Sequence, residues 1–382
     1  MLTHDPDQAV DPIRRRLMRA ASAVMAMIPM SAITMSTATS RDSSPSFGPL
    51  RRIDAGDLNV AYVEVGSADG HPVILLHGWP YDIHSYADVA PALAAKGFRV
   101  IVPYLRGFGA TNFQSASMVR NAQQAALAVD VVALMNALRI QKALLGGFDW
   151  GARAANCVAA LWPDRCSGMV SVSGYLIGNR ESGRMPLSPK AELNWWYQFY
   201  FATERGRAGY AVHRRDFAEL IWQLGSPAWQ FDDATFDRSA AALDNPDHVE
   251  IVIHNYRWRI GAAPGESRYD ELESRLAANP VIDVPTITLE GDANGAPHPD
   301  STSYAKKFTA WYAHRLIEGG HRSQPAAGST AGIRRCCRGS RPRACVVVCI
   351  GAPYAFPNGD ALTHSNNRSN SSWSSPRTGV TF

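Results

Sequence analysis

Cysteine is scarce in this chain, with six among 382 residues. Cys157 and Cys166 lie in the part whose pattern predicts a fold, and the other four stand near the C-terminus, at Cys336, Cys337, Cys345 and Cys349. None of the spacings is typical of a metal site, and so few cysteines in so long a body argue against a disulfide framework. We therefore expect a fold held together by its core, without a bound metal.

Charge of one sign is also lacking, because 38 Lys and Arg residues face 34 Asp and Glu residues, a net charge of +4. The excess lies in the Arg-rich ends, so the central part offers no basic surface of the kind that binds nucleic acid. The apolar stretch at residues 20–33 is interrupted by Pro29 and is too short to span a bilayer. We expect neither a nucleic-acid partner nor a stable membrane anchor, and the sequence indicates no particular oligomeric state.

The N-terminus has the layout of an export signal. Basic residues precede the apolar stretch, and the small residues 36–38 follow it, as at a cleavage site. The run Arg14-Arg15-Arg16-Leu17-Met18-Arg19 resembles a twin-arginine signal. We therefore predict a signal over residues 1–39 and export to the periplasm or beyond. The alternative is a disordered extension or a start codon placed too early, which would leave the protein in the cytoplasm.

Apolar periodicity predicts alternating strands and helices after residue 40. Strands are expected at residues 58–65, 71–76, 98–103, 143–146 and 168–173, and helices at residues 119–138 and 151–162. The second strand ends in an unbroken apolar run, which is typical of a parallel strand covered on both faces. Residues 40–174 are thus predicted to form the first part of an α/β core with a mostly parallel, doubly wound sheet.

The pattern changes after Gly174. Residues 175–275 are rich in Trp, Tyr, Phe and Arg and predict helices without buried strands. Sheet-like sequence resumes in residues 276–321, with strands at residues 285–290 and 314–317 and a helix at residues 303–312. A helical block inserted between two halves of one sheet predicts a lid over the carboxyl ends of the strands, where ligands bind in such folds.

Gly147-Phe148-Asp149-Trp150-Gly151 is the strongest local motif. It follows a predicted strand and opens a predicted helix, which is the context of a nucleophile elbow, with Asp149 at the position usually held by Ser. A carboxylate is already ionised at neutral pH and can attack an sp³ carbon to form an ester. The alternative for Asp149 is a helix N-cap in an ordinary strand-to-helix turn.

Three further features complete the expected site. His77-Gly78-Trp79-Pro80 closes an earlier strand, so the backbone N–H groups of Trp79 and Trp150 are candidates for an oxyanion hole. Asp292 follows the strand that resumes the sheet and is a candidate to orient a catalytic histidine, with a loop or cap acid as the alternative. His321 follows the last predicted strand, which gives the order nucleophile, acid, histidine that accompanies such elbows.

Five motifs together carry a resemblance to a known family. They are His-Gly-Trp-Pro at 77–80, Arg106-Gly107-Phe108-Gly109, the elbow at 147–151, Trp196-Tyr197-Gln198-Phe199-Tyr200-Phe201 and His254-Asn255-Tyr256-Arg257. Through them, residues 55–320 resemble the α/β-hydrolase superfamily, and its epoxide hydrolase branch in particular. The resemblance implies the α/β-hydrolase fold with an inserted helical lid, no cofactor, and a small-molecule epoxide as substrate.

The resemblance also implies roles for aromatic residues. Tyr197 and Tyr256 would donate hydrogen bonds to the epoxide oxygen, which leaves as an alkoxide and needs a proton. Tyr200 would be the substitute if Tyr197 does not reach the substrate. Trp196, Phe148 and Tyr200 are expected to contact the substrate. Aromatic packing is the alternative for the tyrosines.

The implied reaction is hydrolysis of an epoxide to a vicinal diol through an ester on Asp149. A haloalkane dehalogenase would use the same aspartate but needs N–H donors for the halide, for which Trp79, Trp150, Trp195 and Trp196 are candidates. A fluoroacetate dehalogenase is disfavoured, because that family is expected to have Arg after the nucleophile, where Trp150 stands. A binding protein without full turnover is a third alternative, which the C-terminal sequence motivates.

The sequence after Gly320 departs from the family, which closes with a Gly-x-Gly-His-like turn and an amphipathic helix. Residues 322–382 are rich in Arg, Ser, Asn and Pro and predict an aberrant, disordered tail. Back-translation in a shifted frame gives Gly-Gly-Ile-Gly-His-Asn-Pro-Pro-Gln-Glu-Ala-Pro, which looks like the family's histidine turn. We therefore hypothesise a frameshift at about residue 321. The catalytic histidine would then be encoded across Ser323 and Gln324, two positions after His321.

Overall fold

A computed structural model describes residues 47–295 and 300–317. The strands of this part form one sheet and are β1 (Leu50–Ala55), β2 (Leu58–Val65), β3 (His71–Leu76), β4 (Phe98–Pro103), β5 (Asn112–Phe113), β6 (Ala143–Gly147), β7 (Cys166–Val172), β8 (Thr286–Gly291) and β9 (Tyr312–Ile317). Their order is β1-β2-β4-β3-β6-β7-β8-β9, with β5 paired to β2. Only the pairs that involve β2 are antiparallel in the described sheet. The predicted α/β fold with a mostly parallel sheet is confirmed.

The centre of the sheet positions the ends of β3 and β6 side by side. The last four residues of β3, from Val73 to Leu76, are completely buried, as expected for a strand covered on both faces. β3 lies between β4 and β6, and its last residue, Leu76, is in register with Gly147 at the end of β6. The chain thus leaves β3 and β6 at a topological switch point, where ligands of open α/β sheets bind.

Helices connect the strands and fill one long insertion. Before β7 they are α1 (Val89–Ala94), α2 (Gln124–Ala137) and α3 (Trp150–Leu161). Between β7 and β8 lie α4 (Arg180–Gly183), α5 (Pro189–Asn194), α6 (Trp196–Ala202), α7 (Glu204–Gly225), α8 (Asp233–Ala240), α9 (His248–Arg259) and α10 (Asp270–Ala277). α11 (Ser301–Tyr304) follows β8. The segment from α4 to α10 is called the helical insertion below.

Aromatic side chains join the helical insertion to the loop that follows β3. Tyr81 stacks on Trp222 of α7, with 4.6 Å between ring centroids. The Trp222 indole N–H donates to the carbonyl oxygen of Pro80 at 3.1 Å. Phe201 of α6 packs edge-on to Trp79. The insertion therefore lies over the carboxyl end of β3, where the predicted oxyanion-hole loop begins.

Helix α2 begins at Gln124, so the predicted start at residue 119 is wrong. The preceding backbone is held by distant side chains and not by a helical turn. Arg106 Nη1 donates to the carbonyl oxygen of Asn121 at 2.8 Å. His254 Nδ1 accepts the N–H of Ala122 at 3.1 Å. These contacts span 15 and 132 residues of sequence, so local apolar periodicity cannot predict them.

The helix predicted at residues 303–312 is also wrong over most of its length. α11 ends at Tyr304 and a 3₁₀ turn continues only to Lys307. Phe308 then forms a parallel bridge with Ile282, and the Thr309 N–H donates to the Ile282 carbonyl at 3.1 Å. That pairing extends the backbone, and β9 starts at Tyr312, two residues before its predicted start.

Three predictions fall outside the described residues: the signal at residues 1–39, His321, and the aberrant tail at residues 322–382. They stay predictions. Within residues 47–295 and 300–317, no helix is both long enough and apolar enough to cross a bilayer.

Candidate active site

Asp149 occupies the turn between β6 and α3. Its backbone has φ +48° and ψ −117°, a conformation that a residue with a side chain adopts only at a cost of about 1–3 kcal/mol. The side chain makes no capping hydrogen bond to α3, so the N-cap alternative does not describe it. The side chain is half-buried. A strained backbone that presents an acid outside the helix it precedes is the geometry of a nucleophile elbow.

Two glycines allow the loop after β3 to approach this turn. A Cβ on Gly78 would lie 2.5 Å from the Cβ of Asp149, and a Cβ on Gly151 would lie 2.0 Å from the carbonyl oxygen of Leu76. Both distances are far below van der Waals contact, so a larger residue at either position would push the two segments apart. The glycines of the two sequence motifs thus serve close packing between the motifs.

This approach brings the backbone N–H of Trp79, a predicted oxyanion-hole donor, onto the carboxylate. The backbone N–H of Trp79 donates to Asp149 Oδ1 at 2.9 Å. Trp150 is the first residue of α3, so its N–H is among those that a helix leaves without an intrahelical partner. Oδ1 is therefore engaged by a hydrogen-bond donor, and Oδ2 is the oxygen that the predicted role of Asp149 would use.

Tyr197 and Tyr256 meet at the ring of Trp79. Ring centroids are 5.3 Å apart for Trp79 and Tyr197, 5.1 Å for Trp79 and Tyr256, and 5.2 Å for the two tyrosines. Tyr197 lies on α6 and Tyr256 on α9, so the helical insertion brings together two residues that are 59 positions apart. The structure places both tyrosines beside the loop that contacts Asp149.

The hydroxyl of Tyr256 is a strong candidate for a proton donor. The side chain is fully buried, and among the described residues its oxygen has no partner in hydrogen-bond geometry, although the Trp150 indole lies beside it. Burial, followed by the nearby Tyr197 and Asp149, raises the pKa of Tyr256 well above its usual value of 10. The hydroxyl therefore stays protonated at neutral pH and is available to donate.

A buried chain of hydrogen bonds fixes the ring of Trp79. Its indole N–H donates to the hydroxyl oxygen of Tyr210 at 2.8 Å, and Tyr210 is 2.8 Å from His248 Nε2. His248 Nδ1 lies 2.8 Å from the carbonyl oxygen of Gly107, which can only accept. Nδ1 therefore carries the proton and Nε2 accepts from Tyr210. Burial lowers the pKa of His248 to about 4, which keeps this neutral form at pH 7.

A cavity of about 680 Å³ opens beside Asp149, a size suited to a small organic ligand. Four arginines and two acids, Asp149 and Glu192, are among its lining residues; the arginines are Arg153, Arg180, Arg184 and Arg259. These arginines were not predicted from the sequence. The signal for Arg153 was present, because a residue four positions after the nucleophile lies one turn along the same face of α3.

The remaining predicted residues lie elsewhere or outside the described chain. Asp292 follows β8 and is exposed, and its backbone N–H donates to the Ile317 carbonyl at 3.3 Å. The cavity lining includes Asn294 but not Asp292. It also lacks the predicted proton donors Tyr197 and Tyr256. The three predicted substrate contacts are absent from the lining as well; they are Trp196, Phe148 and Tyr200.

Each of these three side chains packs on other aromatic rings. Phe148 contacts Tyr81 edge-on, Trp196 lies against Phe217, and Tyr200 stacks on Phe217. The Tyr200 hydroxyl points at α7, where it would lie 2.1 Å from a Cβ on Gly209.

In the part of the chain that the structure describes, no group of three His, Cys, Asp or Glu residues is arranged to hold a metal ion.

Comparison with known proteins places this chain in a family. The family model for the alpha/beta hydrolase fold matches residues 71–211. A crystal structure of a candidate epoxide hydrolase from Klebsiella pneumoniae is 57% identical to this chain, covers 81% of it and is itself covered over 99%, with a TM-score of 0.75. The chain therefore belongs to the α/β-hydrolase family, and within that family to its epoxide hydrolase branch.

Curated relatives match over shorter stretches. Epoxide hydrolase B of Mycobacterium tuberculosis is 34% identical over 150 residues, which are 36% of this chain and 41% of that protein. A haloalkane dehalogenase of Mycobacterium marinum is 34% identical over 137 residues, 35% of this chain and 43% of that protein. The chain thus spans about two-fifths of the length of these relatives.

Proposed function

We propose that this protein hydrolyses epoxides to vicinal diols through an ester on Asp149. The observation that carries the proposal is the convergence of three groups. They are a carboxylate on a strained elbow, a backbone N–H that donates to one of its oxygens, and two buried tyrosines packed on the same loop. An epoxide needs both a nucleophile and a proton donor for its leaving oxygen, and this site offers both.

In the first step, Asp149 Oδ2 attacks an epoxide carbon. The carbon–oxygen bond of the ring breaks, and its electron pair stays on the oxygen, which takes a proton from Tyr256 or Tyr197. The new carbon–oxygen bond is an ester between Asp149 and the opened substrate. Since Asp149 Oδ1 already accepts the Trp79 N–H at 2.9 Å, the attacking carboxylate is held in one orientation.

In the second step, water attacks the carbonyl carbon of the Asp149 ester. The N–H groups of Trp79 and Trp150 stabilise the resulting oxyanion. A histidine oriented by an acid takes a proton from water and gives it to the alkoxide that leaves as the tetrahedral intermediate collapses, so the diol carries one of the original Asp149 oxygens. The Asp149 carboxylic acid formed in this collapse returns a proton to the tyrosinate left by the first step, which restores both groups. The proposed base is His321 or, in the shifted frame, the histidine encoded across Ser323 and Gln324. Asp292 is the proposed acid. The helical insertion acts as the lid that excludes bulk water from the ester.

A haloalkane dehalogenase is the second candidate, and one observation favours it. The indole N–H of Trp150 is buried and has no partner in hydrogen-bond geometry within the described residues. Such a donor beside the nucleophile is suited to a halide leaving group. The same ester on Asp149 would form, but halide would leave without a proton, so the tyrosines would not be needed.

Diol formation from styrene oxide, with halide release from 1-chlorohexane measured in parallel, tests the proposal. Asp149→Asn should abolish the reaction while circular dichroism stays unchanged, because the amide is a poor nucleophile at a half-buried turn. Diol formation by Asp149→Asn, with deamidation of Asn excluded by mass spectrometry, would overturn the assignment of the nucleophile. Halide release without epoxide opening by the parent protein would favour the dehalogenase.

A further inference from the structure

The arginines around Asp149 differ from most others in the described chain, because they lack acid partners. Nine arginines elsewhere form ion pairs with Asp or Glu; they are Arg51, Arg99, Arg106, Arg120, Arg207, Arg214, Arg215, Arg257 and Arg268. Neither Arg153 nor Arg259 has a carboxylate within ion-pair distance among residues 47–295 and 300–317. Glu192, the other acid of the cavity, accepts the backbone N–H of Leu187.

Arg153 has hydrogen-bonding capacity left over. Its Nη1 donates to the carbonyl oxygen of Leu176 at 2.5 Å, the one hydrogen bond its side chain forms within the described chain. A guanidinium carries five N–H donors, so most of them remain for a ligand in the cavity that Arg153 lines. Burial, followed by the charge of Arg259, lowers the pKa of Arg153 to about 10, which leaves it charged at pH 7.

Arg259 brings a second positive charge to the same place. It lies over the ring of Tyr256 at 5.4 Å and also lines the cavity. Its side chain forms no hydrogen bond or ion pair within the part of the chain that the structure describes. Arg153 and Arg259 thus line the same cavity as Asp149, and ester formation on Asp149 would remove the negative charge of that carboxylate.

We infer that the substrate is a small epoxide that carries a carboxylate, which Arg153 and Arg259 bind while Asp149 opens the ring. This inference rests on the proposed function and narrows its substrate class. The forked guanidinium matches a planar carboxylate, and its positive charge offsets the repulsion between an anionic substrate and the Asp149 carboxylate. When Asp149 becomes an ester, the substrate carboxylate keeps the two arginines compensated.

The position of Arg153 limits where the carboxylate stands. Arg153 lies four residues after Asp149 on α3, a rise of about 6 Å along the helix. Because the two residues line one cavity a single helical turn apart, we place the substrate carboxylate on the oxirane carbon or one or two bonds away from it. Oxirane-carboxylates of the glycidate type, with an apolar group filling the remaining cavity, fit this limit.

A pair of substrates that differ in charge alone tests the inference. They are trans-3-phenylglycidate and its amide, which share the oxirane and the phenyl ring. The measurement is the rate of epoxide consumption in the first turnover of the full chain, so that ester hydrolysis does not limit it. We expect the anion to react at least about 10-fold faster than the amide at low substrate concentration, the effect of one good charge-assisted contact.

Variants assign the preference to particular residues. Arg153→Gln and Arg259→Gln should each reduce the anion-to-amide ratio about 10-fold or more, mainly through weaker binding of the anion. Arg205→Gln removes the same charge from an exposed position on α7 outside the cavity lining, and it should keep the ratio of the parent. An anion-to-amide ratio near one in the parent protein overturns the inference.

A binding measurement distinguishes failure of the proposed epoxide hydrolysis from failure of the anion site. If styrene oxide and both glycidate derivatives are inert, the proposed function fails, and calorimetry with 3-phenylpropionate and 3-phenylpropanamide still tests the anion site. Binding of the anion that is at least about 10-fold tighter, and is lost in Arg153→Gln, supports the site. Equal binding of the anion and the amide rules the site out. If a variant does not fold, calorimetry on the parent alone still tests whether the anion binds more tightly than the amide.

Discussion

At the scale of single residues, the hydroxyl groups of Tyr197 and Tyr256 are expected to supply the proton for ring opening. Changing both to Phe should slow epoxide opening by about 10² to 10⁴, the usual loss when a general acid is removed. First-turnover epoxide consumption measures this. Tyr200→Phe is the matched control, because its hydroxyl lies beside Gly209 of α7, and it should keep the parent rate. A double variant as fast as the parent would contradict the epoxide reaction.

The lowered pKa of His248 makes the stability of the folded protein depend on pH. Its pKa falls from 6.5 to about 4 on folding because the ring is buried. Below pH 6.5 the unfolded chain binds a proton that the folded chain rejects, so the free energy of unfolding decreases as pH drops from 6.5 toward 4. The full effect of this residue is about 3 kcal/mol.

Urea unfolding at several pH values measures this dependence. His248→Gln keeps a donor and an acceptor for Gly107 and Tyr210 but does not titrate, so it should show a shallower loss of stability between about pH 7 and pH 4.5. An equal slope in the parent and the variant would show that His248 is not held neutral in the folded state.

At the scale of elements, the central strands were predictable and the edges were not. β3, β4 and β6 are buried on both faces, and their apolar runs are visible in the sequence. β1 was missed because four of its six side chains are exposed, including Arg51 and Arg52, which leaves no apolar pattern. β5 has only two residues. Its pairing with β2 depends on contacts about 50 residues away in the sequence.

The start of α2 was unpredictable for a related reason. Its first turn is capped by Glu273 of α10, whose Oε1 accepts the N–H of Ala125 at 2.9 Å. The acid lies 148 residues further along the chain, so no local capping residue marks the position. Tertiary contacts decide this boundary, and apolar periodicity alone placed it five residues too early.

Arg106 binds the segment before α2, so we expect its replacement to lower the free energy of unfolding strongly. The side chain is fully buried and binds both oxygens of Asp130 at 2.6 and 2.7 Å, as well as Asn121. Arg106→Met should cost about 3–5 kcal/mol in the free energy of unfolding, because it leaves the largely buried carboxylate of Asp130 without its partner. Urea denaturation gives the value.

Arg51→Met provides the comparison for Arg106→Met, since Arg51 is exposed and its partner Glu64 keeps a second ion pair with Arg99. Removing that pair should cost no more than about 1 kcal/mol. Adding Asp130→Leu to Arg106→Met should recover part of the loss, as both charges are then gone. Equal costs for the two arginine variants would mean that the Arg106 pair does not behave as a buried one.

At the scale of the whole molecule, the site joins parts that the sequence keeps far apart. Asp149 and the loop at Trp79 were predictable because each belongs to a local motif with a defined role. The helix face of Arg153 was also visible in the sequence. Its access to a cavity and the Tyr210–His248 chain were not, because both depend on how the helical insertion packs. The motifs thus predicted the hydrogen bond partners Asp149 and Trp79, and the tertiary structure added the charged residues around them.

The C-terminal sequence bears on the second step more than on the first. Asp149, Trp79 and both tyrosines lie upstream of the hypothesised frameshift, whereas the proposed histidine base lies at it. Loss of one member of a catalytic unit can cost nearly as much as loss of all. We therefore expect the chain as written to form the ester faster than it hydrolyses it, and a chain with the restored frame to turn over repeatedly. Equal multiple turnover by both would show that His321 serves as the base.

The most direct test follows the oxygen atoms of Asp149 through a single turnover. The protein is mixed with less than one equivalent of styrene oxide in H₂¹⁸O, and the peptide that contains Asp149 is weighed by mass spectrometry. The mechanism predicts that this peptide gains either the mass of the epoxide, if the ester persists, or one ¹⁸O, if water has hydrolysed it. Diol that carries ¹⁸O in the first turnover, with the Asp149 peptide unchanged, would mean that water opens the epoxide directly and that Asp149 is not the nucleophile.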